Sequence, residues 1–188
     1  MTRSNARFPS AACAVNWLLA RRSGNLTGFL ACSALLAFAY YLQYAKGLEP
    51  CPLCMLQRLA FFALAIVFLV AAIHRAGRVG ARAYGVIAFA VAAAGASAAA
   101  RHVWLQHTPE SKRPACGPGF DFLMDTFGPF DAVKRILRGS GECGAVDWTL
   151  LGLSIPEWAL IAFTVLGIYA LALGLRAEAR SGAGSRGS

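Results

Sequence analysis

Four stretches of apolar side chains, each long enough to cross a bilayer, limit this chain of 188 residues to very few architectures. They fall at residues 26–44, 56–73, 83–105 and 158–175. A hydrocarbon core asks for about 17–25 apolar residues per helix. Lipid offers no water to pair with open N–H and C=O groups, so each stretch must satisfy its backbone within itself, as a helix. The expectation is an all-α membrane protein: a four-transmembrane-helix bundle forming one domain. Composition agrees, because only 14% of residues are charged against 57% hydrophobic, where soluble domains carry about 25% charged residues.

Basic residues set the orientation. Arg3, Arg7, Arg21, Arg22, Arg75, Arg78, Arg82, Arg176, Arg180 and Arg186 fall on one side of the four stretches. Lys46, Lys112, Arg113, Lys134, Arg135 and Arg138 fall on the other, and Arg58 and Arg101 lie inside stretches. Both ends of the chain are therefore expected in the cytoplasm. The formal charge of +9 reads as a topology signal and not as a nucleic-acid surface. Tyr40, Tyr41, Tyr44, Trp104 and Trp158 mark the outer interface, the depth that amphipathic rings prefer. The layout is a cytoplasmic extension over residues 1–25, a membrane domain over 26–175 with outer loops at about 45–55 and 106–157, and a cytoplasmic tail over 176–188. Residues 11–20 are apolar but too short to span. Arg21-Arg22 follows with no small-residue cleavage pattern, so the segment reads as an interfacial lead-in and not as a removed signal peptide.

Against this layout, four cysteines fall in two pairs on the outer side. Cys51 and Cys54 form C-P-L-C where a polar turn enters the second stretch. That spacing allows two thiols to bridge. A helix N-terminus there points unsatisfied N–H groups and a positive dipole end at negative charge on sulfur. Arg58, four residues after Cys54, shares its helix face. A guanidinium inside the membrane needs a partner or a cavity; snorkelling to the interface is the other reading. Arg101-His102 and Gln106 lie at the same depth in the third stretch. His102 either serves chemistry as hydrogen-bond donor and proton carrier or simply bonds backbone at the interface. Zinc prefers two closely spaced ligand pairs, and Cys116 and Cys143 are too far apart to supply the second, so no metal is expected.

Cys116 and Cys143 lie in the long polar segment, flanked by Pro114, Gly117, Pro118, Gly119, Gly141 and Gly144. Such flanks suit a mobile, accessible dithiol; a purely structural bridge is the competing reading, since extracytoplasmic cysteines oxidise. Between them, Phe130, Val133, Ile136 and Leu137 recur at helical spacing opposite Asp131, Lys134, Arg135 and Arg138. This pattern predicts a short interfacial helix in the second outer loop, with a solvated connector as the alternative. Ser154-Ile155-Pro156-Glu157 reads as a capping box that starts the fourth span. Cys13 and Cys32 have no partner at their depth and read as structural.

Taken together, these residues resemble the bacterial disulfide bond formation protein B family (DsbB), inner-membrane quinone-dependent thiol oxidases, over roughly residues 30–175. The likeness rests on Leu48-Glu49-Pro50-Cys51-Pro52-Leu53-Cys54, Arg58, His102-Val103-Trp104-Leu105-Gln106, the Cys116 and Cys143 pair, and Leu151-Gly152-Leu153-Ser154-Ile155-Pro156-Glu157-Trp158. The resemblance implies that Cys116 takes a mixed disulfide with a reduced periplasmic thioredoxin-fold thiol oxidase (DsbA-like), with Cys143 as its bridge partner. Electrons would pass to Cys51–Cys54, and Cys54 would donate to a membrane quinone, ubiquinone or menaquinone. Arg58 would stabilise thiolate and reduced-quinone charge, and His102 would sit near the ring.

Departures concern the loose Cys116-Gly117-Pro118-Gly119 run, which bears on docking of the soluble partner, and the arginine-rich N-terminal extension through Gly24, to which the sequence attaches no role. Two other readings compete. A vitamin K epoxide reductase-like oxidoreductase carries its C-x-x-C after the loop pair, the reverse of the order here. A tetraspan scaffold with structural disulfides would keep its bridges closed when a reduced partner is added.

Overall fold

The computed structural model of the chain describes residues 21–182 apart from positions 75, 116, 140, 145 and 147. The expectations for the lead-in, Cys13 and Cys116 lie outside the described residues. Four long helices dominate: α1 (Arg21–Lys46), α2 (Pro52–His74), α3 (Arg78–His107) and, after a shorter α4 (Phe120–Arg138), α5 (Ile155–Gly182). Each of the four apolar stretches lies inside one of them. The segments long and apolar enough to span a membrane are Arg22–Lys46, Pro52–His74, Arg78–His107 and Ile155–Leu175. The chain is thus a multi-pass membrane protein with an all-α, four-helix bundle.

Local chemistry sets the helix ends. Lys46 closes α1, a cation at the negative end of the helix dipole. Gly47 follows at φ 67°, a conformation that costs glycine nothing. α2 opens on Pro52, whose fixed φ suits a first helical position and whose missing N–H would have found no partner there. α5 opens with the expected box: the Ser154 N–H donates to Glu157 Oε2 at 2.6 Å, and the Ser154 hydroxyl to the same oxygen at 3.0 Å. Just before it, Thr149–Leu150 and Leu153–Ser154 pair as a minimal antiparallel hairpin. Its turn residues Leu151 and Gly152 both take positive φ, 54° and 83°, the pattern of the tight turn whose twist matches paired strands.

Close backbone approach holds the bundle together. A Cβ added at Gly85 of α3 would lie 2.9 Å from the Ala170 carbonyl oxygen and 3.2 Å from the Cα of Gly174, both on α5. Small residues permit this where lipid supplies no hydrophobic drive between helices. The main core joins Cys32, Phe61, Leu64, Phe68, Ala92 and Phe163, and the Phe61 and Phe163 rings stack with centroids 3.9 Å apart. Cys32 is fully buried there.

The outer loop is more ordered than its glycines and prolines suggest. α4 starts at Phe120, well before the expected helix, and bends at Gly128 (φ 71°, ψ 169°), ahead of Pro129. Leu123, Ala132 and Ile136 of α4 turn inward onto Leu53, Leu105 and Cys143, so the loop forms a second small core over one end of the bundle. Arg101 ties it down: its Nε donates to the Leu137 carbonyl at 3.1 Å and its Nη2 to that of Arg138 at 2.7 Å. The charge thereby satisfies carbonyls at the C-terminal end of α4. Arg113 does the same for α3, donating to the carbonyls of Thr108 and Gln106.

Candidate active site

The site begins at the N-terminus of α2. Cys51 holds the cap position, and its sulfur accepts a hydrogen bond from the Cys54 N–H at 3.4 Å, the role an oxygen side chain usually plays. The same turn brings the Cys51 and Cys54 sulfurs to 3.2 Å as thiols. C-x-x-C spacing and the first helical turn are thus one geometric fact: the sulfur that caps the helix is also the sulfur that meets its partner.

His102 arrives from α3, where it is buried. Its Nε2 lies 3.7 Å from Cys51 Sγ and its Nδ1 3.9 Å from Cys54 Sγ. Gln57, also buried, places its amide nitrogen 3.1 Å from His102 Nδ1. The imidazole therefore faces both sulfurs, and the Gln57 amide meets it at the nitrogen that faces Cys54. Both readings of His102 find a counterpart: the ring faces the two sulfurs and also meets the backbone of Cys143.

Arg58 gains partners that its position in the stretch does not reveal. Its hydrogen bonds run to α1, donating to the side-chain oxygen of Gln43 and, at 3.1 Å, to the Ala39 carbonyl, while its charge still acts on Cys54. It also lies 5.1 Å from the centroid of the Tyr40 ring. The physical reason is reach and satisfaction: a half-buried guanidinium spreads its donors over fixed oxygens, and α1 offers two. Arg58 still borders the same cavity as the thiols.

That cavity, about 420 Å³, is walled by Leu35, Leu36, Phe38, Leu42, Phe61 and Ala159, with Cys51, Cys54, Gln57, Arg58, His102 and Gln106 among its polar and sulfur-bearing lining. Apolar walls with a few converging polar groups are the usual form of a small-molecule site, at a usual size of about 300–1,000 Å³. Another cavity, about 340 Å³, lies between α2, α3 and α5 around Phe68, Tyr84 and Gly85 and carries no thiol among its lining residues.

Cys143 departs from the expected exposed, flexible dithiol. It is buried under α4 with Leu53, Leu105 and Ile136, and Cys51 packs against the same cluster. The Gly141–Gly144 turn is fitted closely at Gly144, where a Cβ would lie 2.6 Å from Arg113. The Gly141 N–H donates to the Ala115 carbonyl at 3.2 Å, so the strand of loop that leads into Cys116 runs beside the turn that carries Cys143. Sequence reasoning missed Gln43 and Gln57. Both are amides inside apolar helices, a placement that by itself signals function.

A bundle of membrane-length helices with a dithiol capping one of them, a buried histidine against both sulfurs and a lined cavity beside them defines a membrane protein with a thiol redox centre. The family described as "Disulfide bond formation protein DsbB" matches residues 21–173. A protein named disulfide bond formation protein B from Xanthomonas oryzae pv. oryzae (strain MAFF 311018) is 48% identical over 161 residues, covering 85% of this chain and 94% of that one. Proteins of the same name from Methylobacillus flagellatus and Methylococcus capsulatus are 48% and 52% identical, covering 87% and 78% of this chain and 99% and 89% of their own lengths. The chain belongs to the DsbB family.

Proposed function

We propose that this protein is a membrane thiol:quinone oxidoreductase that reoxidises a periplasmic DsbA-like dithiol oxidase and so supports protein disulfide formation. The observation that carries the reading is the Cys51–Cys54 pair opening, beside His102, into a cavity bordered by Arg58. Outside the cytoplasm, oxidising conditions in bacteria are kept kinetically, and this family's own relay is the standing instance.

The steps balance through the sulfurs. A donor dithiol attacks the Cys116–Cys143 bridge at Cys116, passes through a mixed disulfide, and leaves as a disulfide with both loop cysteines reduced. The loop pair then reduces the Cys51–Cys54 bridge by the same exchange. Cys143, packed in the same cluster as Cys51, has the short path this exchange needs. Reoxidation of Cys51–Cys54 releases two electrons and two protons.

A membrane quinone, ubiquinone or menaquinone, supplies a two-electron, two-proton acceptor. The residues present fit one: apolar walls for the body of the ring, and Arg58, His102 and Gln57 as hydrogen-bonding groups at the polar end. The N-terminus of α2 holds charge on the attacking sulfur. His102 is placed to take a thiol proton, with Gln57 fixing its ring. Arg58, anchored by Gln43 and Ala39, presents fixed positive charge to whatever negative charge develops in the cavity.

The reading places the protein in the bacterial inner membrane with both ends cytoplasmic, the loops at about 45–55 and 106–157 periplasmic, and α4 on the membrane surface. The test is quinone reduction by purified protein given a reduced thioredoxin-fold donor. Turnover is expected in the wild type and none in Cys54→Ser; full turnover in Cys54→Ser would overturn the assignment. Impermeant maleimide on mildly reduced spheroplasts tests the orientation by modifying the outer cysteines.

A further inference from the structure

The same thiols and imidazole have a second chemistry. One atom from each of Cys51, Cys54 and His102 lies within 4.8 Å of the other two. We propose that the reduced Cys51–Cys54 pair and His102 form a binding site for a soft divalent ion, zinc or cadmium in class, and that occupancy locks the pair as a dithiolate. The proposal goes beyond electron transfer; it rests on the reading above only in that the locked pair is the redox-active one.

Ligand type and spacing support it. Two sulfurs and one imidazole are a donor set that soft and borderline ions prefer over oxygen sites. Zinc–sulfur bonds of about 2.3 Å and zinc–nitrogen bonds of about 2.0 Å in a tetrahedron set ligand separations of roughly 3.6–3.8 Å. The sulfurs stand 3.2 Å apart and the ring nitrogens 3.7 and 3.9 Å from them. The 3.7 and 3.9 Å distances are to different ring nitrogens, Nε2 and Nδ1. A single nitrogen with both sulfurs lies within 4.8 Å, so closing on an ion asks for shifts of up to about 1 Å. All three residues line the cavity, which leaves the fourth position open to water, as in sites with three protein ligands.

An outer partner is also in place. A ligating histidine commonly donates its other ring N–H to a carbonyl or carboxylate. Gln57 lies 3.1 Å from His102 Nδ1; turning its amide over puts the oxygen there, to accept from Nδ1–H while Nε2 takes the ion. Sequence spacing discounted a metal because no second cysteine pair was near. The third donor comes from α3, which only the fold brings to α2.

Binding displaces the two thiol protons to solvent and moves no electrons. It requires both sulfurs as thiolates, so a Cys51–Cys54 disulfide excludes the ion and a bound ion excludes the disulfide. Metal and oxidant compete for one pair.

The test uses purified full-length protein in detergent, reduced and freed of reductant, titrated with cadmium while thiolate-to-metal charge-transfer absorption is followed. A Cys116→Ser/Cys143→Ser background removes the loop thiols. Expected are one ion per reduced chain in that background, none after oxidation of the pair, no binding in Cys54→Ser, and at least about ten-fold weaker binding in His102→Ala. Independently of whether that variant folds, saturating zinc should protect Cys51 and Cys54 from alkylation in the background protein, read by mass mapping. Undiminished affinity in folded His102→Ala, binding by the oxidised pair, or alkylation of both cysteines at an unchanged rate under saturating zinc would overturn the site.

Discussion

The side-chain amide of Gln57 lies 3.1 Å from Nδ1 of His102, a contact that helps join α2 to α3 where the imidazole meets two sulfurs. Gln57 sits three residues beyond Cys54 and one before Arg58, so one helical turn supplies a thiol, a positioning amide and a cation. Replacing Gln57 by Leu leaves a buried ring nitrogen without its partner, a cost of about 1–3 kcal/mol. Reoxidation of the reduced Cys51–Cys54 pair by a short-chain quinone should slow by about ten-fold or more, as read by stopped-flow thiol oxidation. An unchanged rate would remove Gln57 from the site.

Arg58 makes bonds that lysine cannot copy. A guanidinium reaches Gln43 and Ala39 at once while lying beside the Tyr40 ring; an ammonium is a point charge without that fork. Arg58→Leu should therefore raise the apparent KM for quinone by at least about ten-fold, equal to about 1.4 kcal/mol. Arg58→Lys should recover only part of it, and the exchange between soluble donor and loop pair should be unaffected in both. Steady-state kinetics with donor and quinone varied separately make the distinction.

Arg101 was expected to share the functional depth of His102, and the fold divides the two neighbours between tasks: His102 faces the thiols, while Arg101 holds the carbonyls of Leu137 and Arg138. Hydrogen bonds from a charged donor contribute about 1.5–3 kcal/mol. Arg101→Leu should loosen α4 and uncover Cys143, which is buried beneath it. Maleimide modification of Cys143 in a reduced Cys116→Ser background should speed up by at least about ten-fold. No change in rate would mean that α4 is held by its apolar face alone.

Gly85 tests the bundle apart from the chemistry. A valine there would drive its Cβ toward the Ala170 carbonyl, 2.9 Å away, with backbone of Gly174 just behind. Neither can yield, so the α3–α5 contact should lose about 1–3 kcal/mol, the usual cost of overpacking. By contrast, Gly119 has nothing within 4 Å of an added Cβ and caps α4 at an ordinary φ of −61°. Gly119→Ser should be neutral or slightly stabilising. Thermal unfolding in detergent compares the two.

What the sequence made legible follows from how local each signal is. The four spans were plain because a membrane helix satisfies its backbone alone, so its signature is one continuous apolar stretch. The cap at Ser154 and Glu157 was equally local. α4 was half seen: Phe130 to Arg138 repeats at helical spacing, but Gly128-Pro129 reads as a break and hid Phe120 onward. The bend is real, and both sides of it are helical. Cys143 was misread because Gly141 and Gly144 suggested looseness, whereas Gly144 permits close packing against Arg113. At the site, Cys51, Cys54, Arg58 and His102 stood out as polar or reactive groups at one depth. Their partners did not: that Arg58 faces Gln43 and His102 faces Gln57 depends on helix rotation, which a hydrophobic stripe all round the helix leaves undetermined.

The most direct test asks whether the first cysteine pair alone can hand electrons to a lipid-soluble oxidant. Purified protein carrying Cys116→Ser and Cys143→Ser would be fully reduced, mixed anaerobically with a short-chain quinone, and followed by quinol absorbance alongside mass mapping of Cys51 and Cys54. One quinone reduced per chain, with the bridge formed between those two residues, is the expected result. Prompt reduction by the wild type with none by this variant would contradict the account, because electrons would then leave from the loop.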